Sequence, residues 1–439
     1  MPQKLYEKKI ITIEEIDVQG RGTANIGTAR IAVPFSFPGD VGEVKLVKRE
    51  RGILIGELER LITPSPHRVP PRCPHASQSG GCYWQLLEYG AQLYWKREIV
   101  ASLFRRAQID VLLPEVVPAS TLYEFRNKME FAVGKSSHSE DIAPMVIGTK
   151  RLGKWWDIID MDGCLLQSQE SGEVVRRIRT YMTAQQLQPW DHHRHEGFVR
   201  YVVIREGKFT GRRMVILVTS DGVLPAKDAL IESLTPFVSS LYHGINRTLS
   251  DTAVTQELTL LSGDQYLTEC IHGLNFLIHP SSFFQTNSFM IDTLVQAVGE
   301  AVGLQGGERL LDLYCGLGLF SLSFASKCEN IIGVEVVPEA IELARRNRDL
   351  NRISNVEFRL NKAEDLTWVG TEVDAAIIDP PPRRAPSARG RCPDSFRAAE
   401  IRICLLQPIC ICEGVPSIAP GIPYYERARY RSFSTFTAR

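Results

Sequence analysis

RLLDLYCGLGLFSLSFA, residues 309–325, decides the fold class. An apolar strand-like run carrying Leu310, Leu311 and Leu313 passes through Asp312 and Tyr314 to Gly316 and Gly318, and a helical pattern then begins. Glycines at such a turn let the backbone approach a ligand at a strand's carboxyl end, where open α/β sheets bind ligands. Two glycines also suit an ordinary strand-to-helix turn, so the neighbouring stretches have to arbitrate. IIGVEVVPEAIELARRN places Glu335 at the end of a second strand, about one βαβ step later, where an acidic residue bonds ribose hydroxyls. A third strand, VDAAIID, ends at Asp379-Pro380-Pro381. Upstream, HPSSFFQTNSFMIDTLV offers Gln285 and Asn287 just before a helix. From residue 271 onward helix and strand alternate, which predicts a parallel α/β sheet binding a nucleoside.

The bulk properties bound the rest. A chain of 439 residues should hold two or three domains, and 44% apolar with 23% charged residues is ordinary for a globular protein. Fifty-one basic residues balance fifty-one acidic ones, so any nucleic-acid binding must come from local patches. The N-terminal MPQKLYEKKIITIEEIDVQ lacks a signal peptide's apolar core, and no run of about eighteen apolar residues occurs. A cytoplasmic, monomeric enzyme with no membrane partner is the expectation. Ten cysteines in such a chain point to thiols, metal or cluster ligands rather than disulfides.

Residues 8–62 alternate strand-like runs with glycine turns, which predicts a small β-barrel. Lys45, Lys48, Arg49, Arg51 and Arg60 give it a basic strip suited to a phosphate backbone or, equally, to a solvated strand face. Residues 63–82 read as loop, followed by a helix in YWQLLEYGAQLYWKREIVASLFRRA. Strands such as YVVIREGKF and RRMVILVTS mix with helices over 120–270, giving an α+β domain. Trp155 and Trp156 could stack bases or serve a core or rim.

The order FFQTN, DLYCGLG, GVEVVPEAIELARRN, DPP resembles the RNA (uracil-5-)-methyltransferase family. FRNKMEF, residues 125–131, is similar to that family's central signature, and residues 8–62 look like its RNA-binding TRAM barrel. The likeness covers about 1–382. It implies a Rossmann-like α/β S-adenosylmethionine-dependent methyltransferase domain with an N-terminal OB-like TRAM barrel and a central α+β domain. The implied boundaries are 1–64 for the barrel, 65–95 for a cysteine loop, 96–270 for the central RNA-binding domain and 271–382 for the methyltransferase domain, with 383–439 apart. Carried over by position, the resemblance puts Gln285, Tyr314, Glu335 and Asp379 around S-adenosylmethionine, with a further polar ligand near Asn361–Lys362. Many members have Asn where this chain has Leu319. The reaction implied is methylation of uridine C5 in RNA, with a tilt to 23S rRNA over tRNA.

CPHASQSGGCYWQ resembles the family's iron–sulfur loop, whose distant last ligand would be Cys164. Cys73 and Cys82 are present, but Ser79 stands where the middle cysteine belongs, and a [4Fe–4S] cluster is usually held by four thiolates. A lost cluster, a cluster kept on three cysteines with another ligand, and ordinary buried thiols all remain open.

In the family a cysteine of a Ser-Cys-Asn-Pro motif adds to uridine C6, C5 takes the methyl, and a glutamate near the C-terminus serves as base. Neither motif occurs in this chain. The tail has no apolar period, and it reads as a frameshift. One extra cytosine in the proline tract at Pro382 would shift every later codon. Cys404-Leu405-Leu406-Gln407-Pro408 can then encode Val-Ser-Cys-Asn-Pro one base on, and Tyr430–Phe433 can encode Ile-Asp-Leu-Phe. Cys404 itself, flanked by Ile403 and Leu405, lacks the motif's polar neighbours and is not expected to be the nucleophile. Two alternatives stand beside this reading: a catalytically dead RNA-binding protein, and a methyltransferase acting on a different substrate.

Overall fold

A computed structural model of the chain describes residues 5–135, 145–363, 373–379, 402–405 and 435–437. The chain forms two compact units, residues 1–118 with 150–155 and residues 119–149 with 156–439.

The first unit carries β1 (Lys8–Thr12), β2 (Glu15–Ile16), β3 (Gly22–Ile26), β4 (Ala29–Val33), β5 (Val41–Glu50) and β6 (Ile53–Thr63). They form one sheet in the order β1-β5-β6-β4-β3-β2. In β5 the residues alternate, with Gly42, Val44 and Leu46 buried and Glu43, Lys45 and Val47 half-exposed, because successive strand side chains point to opposite faces. Val44 and Leu46 join Ile11, Ile31, Val33 and Leu54 in the core. The β5–β6 hairpin turns on Arg51 and Gly52 at φ 47° and 85°, the paired positive φ that two-residue hairpin turns need. The loop after β6 is pinned beneath the barrel. Tyr83 Oη donates to the Gly20 carbonyl at 2.6 Å, and the Arg68 guanidinium meets fully buried Asp40 at 2.7 Å. Helix α1 (Tyr89–Arg106) follows and belongs to this unit.

The second unit contains two large sheets. β7 (Lys128–Lys135), β8 (Met145–Arg151), β9 (Lys154–Asp160), β10 (Val199–Glu206), β11 (Arg213–Thr219), β12 (Ser240–Ile245) and β13 (Glu257–Gly263) pair in the order β13-β12-β11-β10-β7-β8-β9. β10 and β11 are buried along their whole length, because both faces of the sheet are covered. α2 (Gln169–Ala184) and α3 (Lys227–Leu234) supply the residues that pack one face, Val174, Ile178, Leu230 and Leu234 among them. Residues of the opposite face, Tyr201, Val203 and Ile216, share one core with the segments that follow. That core runs on past residue 271, and a second, smaller one is made by Leu311, Leu313, Val334, Ala363, Val373 and Ala376. The hairpin of β14 (Leu267–Ile271) and β15 (Leu274–Ile278) leads into α4 (Ile291–Val302).

The last sheet is the expected open α/β sheet. β16 (Glu308–Leu313), α5 (Leu319–Ser323), β17 (Cys328–Glu335), α6 (Pro338–Leu350), β18 (Val356–Leu360), β19 (Ala375–Ile378), β20 (Arg402–Leu405) and β21 (Thr435–Thr437) follow in sequence. The strand order is β18-β17-β16-β19-β20-β21, parallel except for β21. Strand order reverses between β16 and β19, which is where doubly wound sheets bind their ligands. Pro380–Arg383 and most of the tail lie outside the described residues. Among the described residues no helix is long and apolar enough to cross a membrane.

Candidate cofactor site

Register assembles the site. Leu313 of β16 lies opposite Val334 of β17 and Ile378 of β19. One residue further on, Tyr314, Glu335 and Asp379 therefore stand in a row across the carboxyl edge of three adjacent strands. Cys315 N donates to the Val334 carbonyl at 3.0 Å and Asp379 N to the Leu313 carbonyl at 3.4 Å, which ties the row together. Asn361 joins the same edge, its N–H donating to the Glu335 carbonyl at 3.0 Å.

Glu335 organises the turn. Its carboxylate accepts from Gly316 N at 3.2 Å, Val336 N at 2.8 Å and Val337 N at 3.0 Å. A carboxylate has about four acceptor sites, so capacity remains for a ribose hydroxyl. Tyr314 sits at φ 63°, a left-handed conformation that costs a non-glycine residue about 1–3 kcal/mol and clusters at ligand sites. Gly318 is required for two reasons. Its φ is 84°, and a Cβ there would lie 2.6 Å from the Phe358 ring. In front of Gly316 a Cβ would meet nothing within 4 Å, so the turn faces open space.

Behind the turn, fully buried Asp312 accepts from Ser321 N at 3.0 Å and Ser321 Oγ at 2.6 Å, while its Oδ1 has no hydrogen-bond partner among the described residues. Burial, with Asp379 and Glu335 nearby, pushes its carboxyl up to about 7. Burial also raises Asp379. The Cys315 thiol is pushed well above its ordinary value by burial and is unreactive packing. Sequence reading passed over Asp312 as a candidate; its signal was an acid inside an otherwise apolar strand. Leu319 is buried in the first turn of α5.

Gln285 is held through its main chain. Asn127 Nδ2 donates to the Gln285 carbonyl at 2.7 Å and to Ser288 Oγ at 2.9 Å, and Asn127 N donates to the Thr286 carbonyl at 2.9 Å. The FRNKMEF and FFQTN motifs thus meet at one asparagine. Strand register does not carry Gln285 into the row of Tyr314, Glu335 and Asp379.

Comparison with known proteins fits this arrangement. A tRNA (uracil(54)-C(5))-methyltransferase TRAM-domain model matches residues 10–67, and a methyltransferase-domain model matches 304–411. The chain is 35% identical over 369 residues to the tRNA (uracil(54)-C(5))-methyltransferase of Pyrococcus horikoshii, covering 84% of this chain and 83% of that one. The chain belongs to the RNA uracil-C5 methyltransferase family. An uncharacterised RNA methyltransferase of Nanoarchaeum equitans is 34% identical over 383 residues, 87% of this chain and 79% of its own. The crystal structure of Pyrococcus abyssi tRNA (uracil-54, C5)-methyltransferase with S-adenosyl-L-homocysteine superposes with a TM-score of 0.71 at 29% identity, covering 92% and 91% of the two chains. The protein is an S-adenosylmethionine-dependent RNA methyltransferase.

The cysteine loop does not complete a cluster site. Ser79 is buried, its N donating to the His75 carbonyl at 2.8 Å and its Oγ accepting from Gly81 N at 3.4 Å. Cys73 is buried, Cys82 half-buried, and Cys164 half-buried in the loop before α2. Among the described residues no group of three or more His, Cys, Asp or Glu is placed to hold a metal ion. Three candidate thiols, Cys73, Cys82 and Cys164, and a committed hydroxyl do not make a four-thiolate cluster, and no step of the reaction is drawn through one.

The TRAM strip is less basic than its composition. Lys8 pairs with Glu59 at 2.5 Å, Lys48 with Glu50 at 3.2 Å and Arg60 with Glu43 at 3.9 Å. Exposed pairs of this kind add little stability, but they do neutralise the strand face. Trp156 is exposed, so it is not core. Cys404 lies in β20 opposite Ile377 of β19.

Proposed function

We propose that the protein methylates C5 of a uridine in tRNA, position 54 being favoured over a 23S rRNA site. The TRAM-model match and the Pyrococcus relatives support that choice. The same relatives speak against the reading of a methyltransferase with a different substrate. Gln285, Tyr314, Glu335 and Asp379 hold the cofactor: Glu335 accepts from the ribose hydroxyls, and Tyr314 lies along it. When bound there, S-adenosylmethionine supplies the methyl group.

A thiolate adding to C6 of the extruded uridine makes C5 nucleophilic, C5 takes the methyl as S-adenosylhomocysteine leaves, and loss of the C5 proton to a base then expels the thiolate from C6 and restores the ring. Supplying that thiolate is the open step. The observation that carries the proposal is the place of β20, paired in parallel with β19 so that Ile378 and Leu405 are opposite each other. The strand that should deliver the nucleophile thus ends beside Asp379, and one frame over, its codons can spell Val-Ser-Cys-Asn-Pro. On this reading the native gene lacks one cytosine of the proline tract, and the present frame after it carries neither the Ser-Cys-Asn-Pro motif nor the glutamate motif. Resequencing codons 375–439 beside an intact mass of the cellular protein tests it. A missing cytosine with Ser-Cys-Asn-Pro behind it supports an active enzyme. A mass matching these 439 residues supports the dead RNA-binding reading instead.

A further inference from the structure

Apart from the cofactor edge, the second unit contains a cavity of about 750 Å³. Its walls are the 120–124 segment, the first turn of α2, the β10–β11 connection, the segment after α3, and Phe289. None of the four cofactor residues lines it. A volume of this size suits a ligand about as large as a nucleotide.

The floor is built and charged. Glu206 is 4% exposed, and its carboxylate accepts from Ser168 Oγ at 2.6 Å, from Ser171 Oγ and from the Lys208 ammonium. Burial raises that carboxyl, but Lys208 and the two hydroxyls outweigh burial and hold it below its ordinary value. Glu206 is therefore saturated, whereas an ammonium carries three donors and Glu206 takes one from Lys208. The Lys208 side chain is only 6% exposed, so this is a buried donor at a cavity wall rather than a surface lysine. Arg213 is fixed by Ser171 Oγ at 3.1 Å and the Phe237 carbonyl at 2.7 Å.

The walls include two aromatic rings. Phe237 and Phe289 line the cavity. Phe289 is braced edge-on by Phe209 at 5.4 Å, and the Arg177 guanidinium covers one face of Phe237 at 4.5 Å. Cations and carboxylates balance around the cavity, with Lys208, Arg212 and Arg213 against Glu124, Glu170 and Glu206. A pocket of balanced charge with flat apolar walls favours a heterocycle presenting donors and acceptors on one edge over a bare phosphate. Unstacked RNA bases are held in this way, between aromatic faces and polar edges.

The cavity is also connected to the reaction. Fully buried Glu269 accepts from Lys208 N at 2.6 Å, Phe209 N at 3.0 Å and Ser288 Oγ at 3.0 Å. Ser288 Oγ in turn accepts from Asn127, which holds the Gln285 carbonyl. A single buried chain thus fixes the cavity wall and the FFQTN loop relative to each other. When a target uridine leaves its stack, its loop neighbours lose their stacking partners as well.

We propose that this cavity receives a second, non-target base of the RNA substrate, extruded together with the target uridine. The proposal rests on the RNA reading above. The probe is a synthetic hairpin carrying the nucleotides around tRNA uracil 54, with an abasic site introduced at one loop position at a time. Affinity for the full chain is read by fluorescence anisotropy, for the unsubstituted protein and for Phe289→Leu, with thermal unfolding as the fold check. One non-target abasic position should weaken binding roughly tenfold, and Phe289→Leu should abolish that loss at that position alone. Should Phe289→Leu fail to fold, Arg212→Gln at the half-exposed rim is used in its place, with the same expected coupling. If abasic and protein losses simply multiply at every position, the cavity does not hold a base and the proposal is overturned. If the unsubstituted protein binds the hairpin no better than an unrelated one, the tRNA reading falls, and this inference falls with it.

Discussion

At the residue scale, Glu335 and Asp312 do different jobs within one strand edge. Glu335 is tethered by three backbone N–H groups, so its carboxylate is fixed before any ligand arrives. Glu335→Gln keeps the size and loses the charge-assisted acceptor. We expect S-adenosylmethionine to bind about tenfold or more weakly, read by calorimetry, with the fold intact. Asp312 is the opposite case, a buried acid at about 7 against an ordinary 3.8. Between about pH 4 and 7 the folded chain keeps a proton that the unfolded chain has released, so this group's contribution to stability falls as pH rises. Asp312→Asn removes that slope. Urea midpoints should shift in favour of the variant, relative to the unsubstituted protein, between about pH 5 and pH 8. A difference that stays constant with pH would contradict the assignment. Asp312 was hard to read because Leu310, Leu311 and Leu313 mark a buried strand without saying how deep the acid between them sits.

At the scale of elements, the turn between β16 and α5 carries the site. Its glycines were legible as a close approach, but the partner in that approach was not, since Phe358 comes from β18, two strands along. Gly318→Ala meets both the positive φ and that ring. It should cost about 2 kcal/mol or more of stability and weaken cofactor binding in parallel, measurable by chemical unfolding and calorimetry. Glu335 was legible because a βαβ step has a nearly fixed length. The role of Asn127 was not, because its bonds to the FFQTN loop span 158 residues of sequence. The basic strip of the barrel left two readings open for a related reason. Composition shows the lysines, but only β5–β6 register places Glu57 opposite Lys45 and Glu43 opposite Arg60. The cysteine loop shows the converse, since a single serine at position 79 already argued against a four-thiolate cluster, and the structure commits that serine to the backbone.

At the scale of the whole molecule, the α/β class followed from alternation alone, whereas the division into units did not. Helix α1 groups with the barrel, and the central sheet shares its core with the methyltransferase segments, because hydrophobic faces pair in space without regard to sequence order. The break read at Pro382, where the apolar period stops, lies outside the described residues. The central claim is methyl transfer to uridine C5 by a chain whose cofactor edge is intact and whose nucleophile lies in the neighbouring frame. The most direct measurement is transfer of tritiated methyl from S-adenosylmethionine to a tRNA transcript, comparing this chain with a version in which the extra cytosine of the proline tract is removed. The account predicts 5-methyluridine at position 54 with the restored version, and cofactor binding without transfer by the present one. Full-rate methylation by the present chain, or none by a folded restored version, would contradict it.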